Sequence, residues 1–413
     1  MATFANVSSK RPAILVLAST FPRWKRDSEP PFVYELSSRL ATQCDVTVLA
    51  PRSIGAAMDE IWENRLRIVR YPYFFPRLER LAYQGGILAK LKSDRRFFLL
   101  VPFFLLGQLL AVMALCRKQH FDVIHAHWIF PQAFLALLAT RALQQSIPVV
   151  VTAHGGDLYG LRGRLLSRIK RWVLLKASGV TVVSHAMRRD VAAMTDNQVD
   201  SQVLSMGVAL RNVFTPPLPQ DMRDRYRILF VGRLVEKKGV DVLLRALPIV
   251  RENFPAVHVT IVGDGPERSC LESLAQELGV VEVVEFTGRK PNAEIVDFYR
   301  SAGVFAMPSI IAADGDQEGL GLVAVEAMGC GCPVIASDLA AIQDVVSDGV
   351  TGILFRAGDH EALAAALLKL FDDQVLADSL AVSARQYVID RYDWDIVAER
   401  YSQVLTMAAN GDR

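Results

Sequence analysis

Twelve short runs rich in β-branched and apolar residues, spaced by helix-length segments, limit what this chain can fold into more than any other feature. In the first half they are Ala13–Ser19, Asp45–Ala50, Leu66–Tyr71, Asp122–His127, Pro148–His154 and Gly179–Ser184. In the second half they are Arg227–Arg233, His258–Gly265, Val284–Arg289, Gly303–Ser309, Pro333–Asp338 and Thr351–Phe355. Parallel strands need a crossover connection, usually a helix, so this alternation predicts parallel sheets wrapped by helices. The proline-rich, polar stretch "FTPPLPQDMRDR" separates the two sets and reads as a linker. The expectation is an α/β chain of two doubly wound domains, residues 1–211 and 212–389, facing each other across a cleft. Ligands of such sheets sit beyond the carboxyl ends of the strands. The helical segment "SARQYVIDRYDWDIVAERYSQVLTMA" is expected to bend near Tyr392–Trp394 and return, over residues 390–413, to the first domain.

With 413 residues the chain is long enough for two cores, and 51% hydrophobic against 22% charged residues excludes a disordered polymer. The net charge of +2 hides an asymmetry. Residues 1–200 hold 27 Lys and Arg against 14 Asp and Glu, which leaves 19 against 30 for the remainder. A basic first half suits an anionic partner, and a membrane surface, a phosphorylated lipid and nucleic acid all qualify on charge alone. The cysteines (Cys44, Cys116, Cys270, Cys330 and Cys332) form no disulfide or zinc pattern, which fits reduced thiols in the cytoplasm. The apolar segment Phe97–Cys116 is long enough to cross a bilayer. Pro102, Gly107 and Gln108 interrupt it, and the strand "FDVIHAH" follows within a few residues. A buried helix, or one resting on the membrane interface, is therefore expected rather than a span.

Four motifs carry chemistry. Arg233 and Lys238 bracket the loop between a strand and the helix "GVDVLLRAL", and two cations beside a helix start make an anion site. Glu318 and Glu326 bracket a helix start, with Gly319, Leu320 and Gly321 supplying backbone donors without bulky side chains in the way. Eight helical residues rise about 12 Å, close to the distance from sugar to ribose in a nucleotide sugar. One carboxylate would grip sugar hydroxyls and the other ribose hydroxyls, with the diphosphate between them on the helix terminus. In "TAHGGDLYG", His154 ends a strand, followed by glycines and Asp157, while His125 and His127 end the neighbouring strand. The histidines come from two strands without regular metal spacing, so no metal is expected. In "STFPRWKRDSEPP", Arg23, Lys25 and Arg26 would meet an anionic acceptor.

The segments "VGRLVEKKG", "IVGDGPE", "FTGR", "EGLGLVAVE" and "GCPVIASDLAAIQDVVSDGVTGILF" resemble those of the retaining glycosyltransferases of family 4, which have the GT-B fold. The resemblance is sharpest over residues 227–356 and continues more weakly over most of the chain. It implies two Rossmann-like domains and transfer of a sugar from a nucleotide-diphosphate donor with retention at the anomeric carbon. It implies that Arg233 and Lys238 hold the diphosphate with Gly319, Leu320 and Gly321, that Glu326 holds the ribose, and that Glu318 and His154 act at the donor sugar. It implies that Arg289 and Lys290 lie near the base; Asp157 and Arg23 are expected on the acceptor side from their own loops, not from the resemblance. Neither a metal nor a cofactor is implied; "DGD" at Asp314–Asp316 fits an Asp-x-Asp pattern but occupies a loop before Glu318. Where many members carry Gly-Gly, this chain has Glu29, Pro30 and Pro31, which leaves a phosphate cradle there in doubt.

The acceptor expected is a glycan or a lipid-linked intermediate of polysaccharide or lipopolysaccharide synthesis, met at the cytoplasmic face of the membrane by a peripheral enzyme that binds no nucleic acid. A nucleotide-sugar epimerase or a phosphorylase on the same scaffold is the alternative. A nicotinamide dehydrogenase is disfavoured because "VGDGPE" lacks the third glycine of a dinucleotide fingerprint.

Overall fold

The computed structural model describes residues 11–25, 27, 32–83, 86–160, 163–218 and 223–411. Arg26 and the Glu29–Pro31 stretch lie outside the described residues. The first sheet contains β1 (Ala13–Leu17), β2 (Asp45–Pro51), β3 (Asp59–Ile61), β4 (Arg67–Tyr71), β5 (Val123–His127), β6 (Val149–Ala153), β7 (Gly179–Val182) and β8 (Gln202–Val203). Its spatial order is β3-β4-β2-β1-β5-β6-β7-β8. The second contains β9 (Asp224–Val231), β10 (His258–Val262), β11 (Val284–Gly288), β12 (Ala302–Met307), β13 (Val334–Ser337) and β14 (Ile353–Phe355), in the order β11-β10-β9-β12-β13-β14.

Each sheet starts in its middle, winds outward on one side, then crosses over to wind outward on the other. The direction reverses between β1 and β5 in one sheet and between β9 and β12 in the other. Loops leaving those strand pairs diverge and open a crevice, which is where ligands of doubly wound sheets bind. All twelve expected strands are present. Two more were not expected. Strand β3 runs antiparallel on β4, and its sequence "DEI" is exposed or half-buried throughout, so it lacks the apolar run that marks a buried strand. The other, β8, is two residues long.

Apolar strands and crossover helices build the cores. The central β1 and β5 are almost entirely buried, with Leu15, Leu17, Ile124 and Ala126 in the cluster on one face and Ile14, Val16 and Val123 on the other. The C-terminal return occurs as expected. Helix Gln374–Tyr392 ends at Asp393, whose side chain caps helix Trp394–Asn410 by accepting from the Asp395 amide. The same carboxylate accepts from the Leu210 amide at 3.2 Å, which ties the turn to the interdomain segment. Trp394, Val397, Tyr401 and Leu405 then pack in the first domain's core beside Ile14, Val16, Leu36 and Leu40. Burying such side chains contributes roughly 1.5–3 kcal/mol each, enough to make the return a structural part of the first domain.

The apolar segment near residue 100 is a helix with two different faces. Over Val101–Lys118, Phe104, Gln108, Val112, Leu115 and Cys116 are buried against the first domain. Gly107 permits this contact, since a Cβ there would lie 2.8 Å from the Pro72 carbonyl oxygen. Phe103, Leu106 and Leu110 face outward and are about half exposed. Phe98 and Leu99 on the preceding turn are exposed as well, and exposed Phe75 joins this surface through Phe74, whose ring centre lies 5.1 Å from that of Phe75 and 4.8 Å from that of Phe103. Arg77, Arg80, Arg95, Arg96, Arg117 and Lys118 are exposed around it.

Candidate active site

Two helices that face the interdomain gap start on glycines and carry no side-chain cap. Gly239, at φ +60°, opens helix Val240–Asn253, and Gly321, at φ +89°, opens helix Leu322–Gly329. Helices His185–Met194, His360–Asp372 and Gln374–Tyr392 are capped by Ser184, Asp359 and Asp373, while Arg164–Lys176, Arg268–Glu277 and Asn292–Ser301 also lack a side-chain cap, so what sets the first two apart is their position at the gap. A helix start without a side-chain acceptor offers its amides, and the positive end of its dipole, to an anion. Gly239 also brings the loop after β9 against the loop after β12, because a Cβ there would sit 2.0 Å from the Pro308 carbonyl oxygen. The reversal of strand order thus places Lys238 beside Glu318, although 80 residues separate them.

A gap of about 280 Å³ between the domains is bordered by Lys238, Glu318, Gly319, Leu320, Gly321 and His154. Lys238 Nζ donates to Glu318 Oε2 at 2.5 Å, with both side chains about 15% exposed. Burial works to raise the Glu318 pKa, but the ammonium groups of Lys238 and Lys237 outweigh it and hold the carboxyl below its usual range. Glu318 is therefore an anion at neutral pH, and its partner is one of the groups assigned to the diphosphate. The Asp-x-Asp loop is tied down in the same way, with Lys237 Nζ 3.1 Å from Asp316 Oδ1.

Glu326 lies one helical turn deeper. It accepts from the Tyr299 hydroxyl at 2.9 Å. Burial pushes its pKa up to about 7, against the pull of the Tyr299 hydrogen bond and the Lys238 charge. Tyr299 was not foreseen from sequence. It sits in helix Asn292–Ser301, and no motif there marks it as the partner of a carboxylate on another helix.

The first domain supplies a histidine stack. His127 Nδ1 and His154 Nε2 are 3.0 Å apart, with rings nearly parallel at 16°. His125 lies behind, its Nε2 at 2.8 Å from Thr152 Oγ1. Burial lowers the pKa of all three, to about 3 for His125 and His154, so the stack is neutral at physiological pH. The next residue, Trp128, has φ +81°, a strained backbone for a large side chain, and its ring packs 5.2 Å from that of His154. Asp157 accepts from the amides of Ile129 at 2.7 Å and His154 at 3.0 Å. It binds the loops after β5 and β6 to each other and so positions His154. The domains meet closely here, since a Cβ on Gly155 would lie 3.2 Å from Gly319 Cα.

The remaining expected residues lie outside this gap. Arg233 is exposed at the edge of an adjoining cavity, with Gly156 and Asp157. Arg289 and Lys290 follow β11 at the sheet edge, where Lys290 is 3.7 Å from Glu294. The Arg23 guanidinium donates to Asp27 at 2.8 and 2.6 Å, its backbone amide donates to the same carboxylate at 2.9 Å, and its guanidinium lies 4.4 Å from the Trp24 ring centre. That pairing gives Arg23 a structural role in its loop. Among the described residues no group of three or more His, Cys, Asp or Glu could hold a metal ion.

Two Rossmann-like domains, with helix termini and cations gathered in the gap between them, define a glycosyltransferase of the GT-B fold. Residues 220–401 match the family described as glycosyl transferases group 1, and residues 31–203 match a glycosyl transferase 4-like domain. The phosphatidyl-myo-inositol mannosyltransferase of Mycobacterium leprae is 36% identical over 89% of this chain and 90% of its own length. A GDP-mannose-dependent alpha-(1-6)-phosphatidylinositol monomannoside mannosyltransferase of Mycolicibacterium smegmatis is 33% identical over 67% of this chain and 74% of its own. The fold is shared with sucrose-phosphate synthase of Thermosynechococcus elongatus, at TM-score 0.76 and 22% identity over 97% of this chain and 100% of that one. Anabaena HepE, solved with UDP and glucose, superposes at TM-score 0.71 and 18% identity over 95% and 99% of the two chains. The chain belongs to the group 1, family 4-type glycosyltransferases.

Proposed function

We propose that this enzyme moves a sugar from a nucleotide-diphosphate donor to a hydroxyl of a lipid-linked acceptor at the cytoplasmic face of a membrane, with retention at the anomeric carbon. The observation that carries this reading is the meeting of Lys238, Glu318 and the uncapped Gly321 helix start opposite His154. In this reading the amides from Gly319 to Gly321, with Lys238 and Arg233, take the diphosphate. Glu326 takes the ribose hydroxyls, and Arg289 and Lys290 lie toward the base. As the bond from C1 to the β-phosphate oxygen breaks, negative charge builds on that phosphate, where the cations and helix dipole stabilise it. Positive charge develops at the sugar carbon, where the Glu318 anion and the neutral His154 ring are placed to act. The acceptor hydroxyl attacks C1 from the same face, and its proton passes to the leaving phosphate oxygen.

Support for the donor comes from the relatives, two of which are named for GDP-mannose-dependent or phosphatidylinositol-directed mannosyl transfer. GDP-mannose is therefore the first donor to test, beside UDP-glucose. The exposed apolar face of helix Val101–Lys118, ringed by arginines, supports peripheral attachment to an anionic bilayer. The test is a transfer assay with each donor on lipid extracts, with the product's anomeric configuration read by proton NMR. An α-linked product from an α-linked donor is expected, and a β-linked product would overturn the stereochemical assignment.

A further inference from the structure

Beside the donor gap lies a second cavity, of about 460 Å³, which shares Phe32 with the gap and reaches Arg233 but whose apolar body the reaction described above does not use. It occupies the place in the first sheet where strand order reverses, opening between the loops after β1 and β5. Its walls are apolar: Phe32, Leu81, Ile87, Phe104, Leu105 and Trp128 contribute to them. At one end it reaches Gly156 and Asp157, next to His154, and Arg233 of the second domain. The volume falls in the range of about 300–1,000 Å³ usual for pockets that enclose organic ligands.

Two observations say what would occupy it. First, helix Val101–Lys118 contributes to two surfaces. Val101, Phe104 and Leu105 line the cavity, while Phe103, Leu106 and Leu110 point to solvent amid the exposed arginines. The cavity therefore adjoins the face suited to a bilayer, and one helix separates the two. Second, Gln132 lies in the wall and is fully buried, yet among the described residues neither its Oε1 nor its Nε2 has a hydrogen-bond partner. A buried amide lacking partners at both ends is unusual, and a ligand carrying hydroxyl or carbonyl groups would satisfy it.

Building on the proposed reaction, we infer that this cavity is the acceptor's lipid subsite. It takes the first part of an alkyl or isoprenoid chain, withdrawn from the bilayer along helix Val101–Lys118. Gln132 bonds the polar junction between chain and headgroup. The reacting hydroxyl then lies toward Arg233 and the donor gap. The subsite would select acceptors by their chain as well as by their sugar.

The test uses the full chain and two probes. Cis-parinaric acid, whose fluorescence rises in an apolar enclosure, reports the chain alone, and n-octyl glucoside below its micellar concentration competes as a chain with a hydroxylated head. Wild type is expected to bind both saturably. Leu105→Trp, and independently Ile87→Trp on a different helix, fill the cavity and should weaken parinarate binding at least tenfold while GDP-mannose binding stays intact. Leu106→Glu, on the outer face, should leave parinarate binding unchanged and reduce sedimentation with phosphatidylglycerol vesicles. Gln132→Leu should weaken the glucoside several-fold more than parinarate. Absence of saturable parinarate binding, or equal affinity in wild type and both tryptophan variants, overturns the subsite. Equal effects of Gln132→Leu on the two probes overturn the role of Gln132. Failure of wild type to bind either GDP-mannose or UDP-glucose would instead overturn the proposed function itself, so the two failures are distinguishable.

Discussion

Replacing Tyr299 with phenylalanine removes one hydrogen bond and little else. The Tyr299 ring packs edge-on against Phe305 and Phe214, contacts that phenylalanine keeps. The lost bond is the 2.9 Å donation to Glu326, the strongest influence opposing the burial that raises Glu326 to about 7. A hydrogen bond to a charged group contributes roughly 1.5–3 kcal/mol, and the lower end applies at this partly exposed carboxylate. That is about one pKa unit, so the Glu326 midpoint should move from about 7 to about 8. Only the ionised carboxylate accepts from both ribose hydroxyls, so donor binding should weaken as pH falls through the midpoint. In the variant the weakening begins one unit higher. At pH 7 the ionised fraction drops from about a half to about a tenth, an affinity loss of about fivefold that disappears toward pH 9. Calorimetric titration with the intact nucleotide sugar suits the assay, because its diphosphate does not titrate in this range. An unshifted midpoint, or an equal loss at every pH, would show that the Tyr299 hydrogen bond does not set the Glu326 pKa.

Three further outcomes follow from the same geometry. Glu326→Gln should stabilise the fold at pH 8 by about 2 kcal/mol, read by urea unfolding, because a raised carboxyl pKa means the folded state resists ionisation; the gain should vanish below the ordinary carboxylate value of 4.5. Lys238→Met strands the Glu318 anion and should cost about 2–4 kcal/mol and more than a hundredfold in turnover, while adding Glu318→Gln should restore the stability but not the activity. Gly319→Ala places a Cβ 3.0 Å from the His154 carbonyl oxygen, so it should hold the domains apart and lower kcat about tenfold with little change in donor affinity.

The fold was legible wherever the chain's local pattern carries the information. Buried parallel strands such as "AILVL" and "VVVTA" announce themselves, because both faces are covered and the run is continuously apolar. The bend at Asp393 was legible too, from a polar break between two helical stretches. Strand β3 was not, since an exposed edge needs no apolar run. In the site, the glycines and charges at strand ends could be read from sequence, because small residues and charges stand out against the apolar strands they follow. Their partnerships could not. Sequence gave no sign that Lys238 would pair with Glu318, that Tyr299 would cross to Glu326, or that Arg23 would be taken up by Asp27. Each depends on side chains from separate elements meeting after the sheets have wound. Gln132 left no sign either, because a glutamine is marked as unusual only once its buried surroundings are known.

Whether the donor lies between the two sheets can be seen in a crystal structure of the enzyme soaked with GDP-mannose and with UDP-glucose. Diphosphate oxygens are expected within about 3 Å of the Gly319–Gly321 amides and the Lys238 ammonium, with ribose hydroxyls on Glu326 and the sugar between Glu318 and His154. A nucleotide bound elsewhere, with Lys238 still on Glu318 and the two glycine-led helix starts untouched, would contradict this placement.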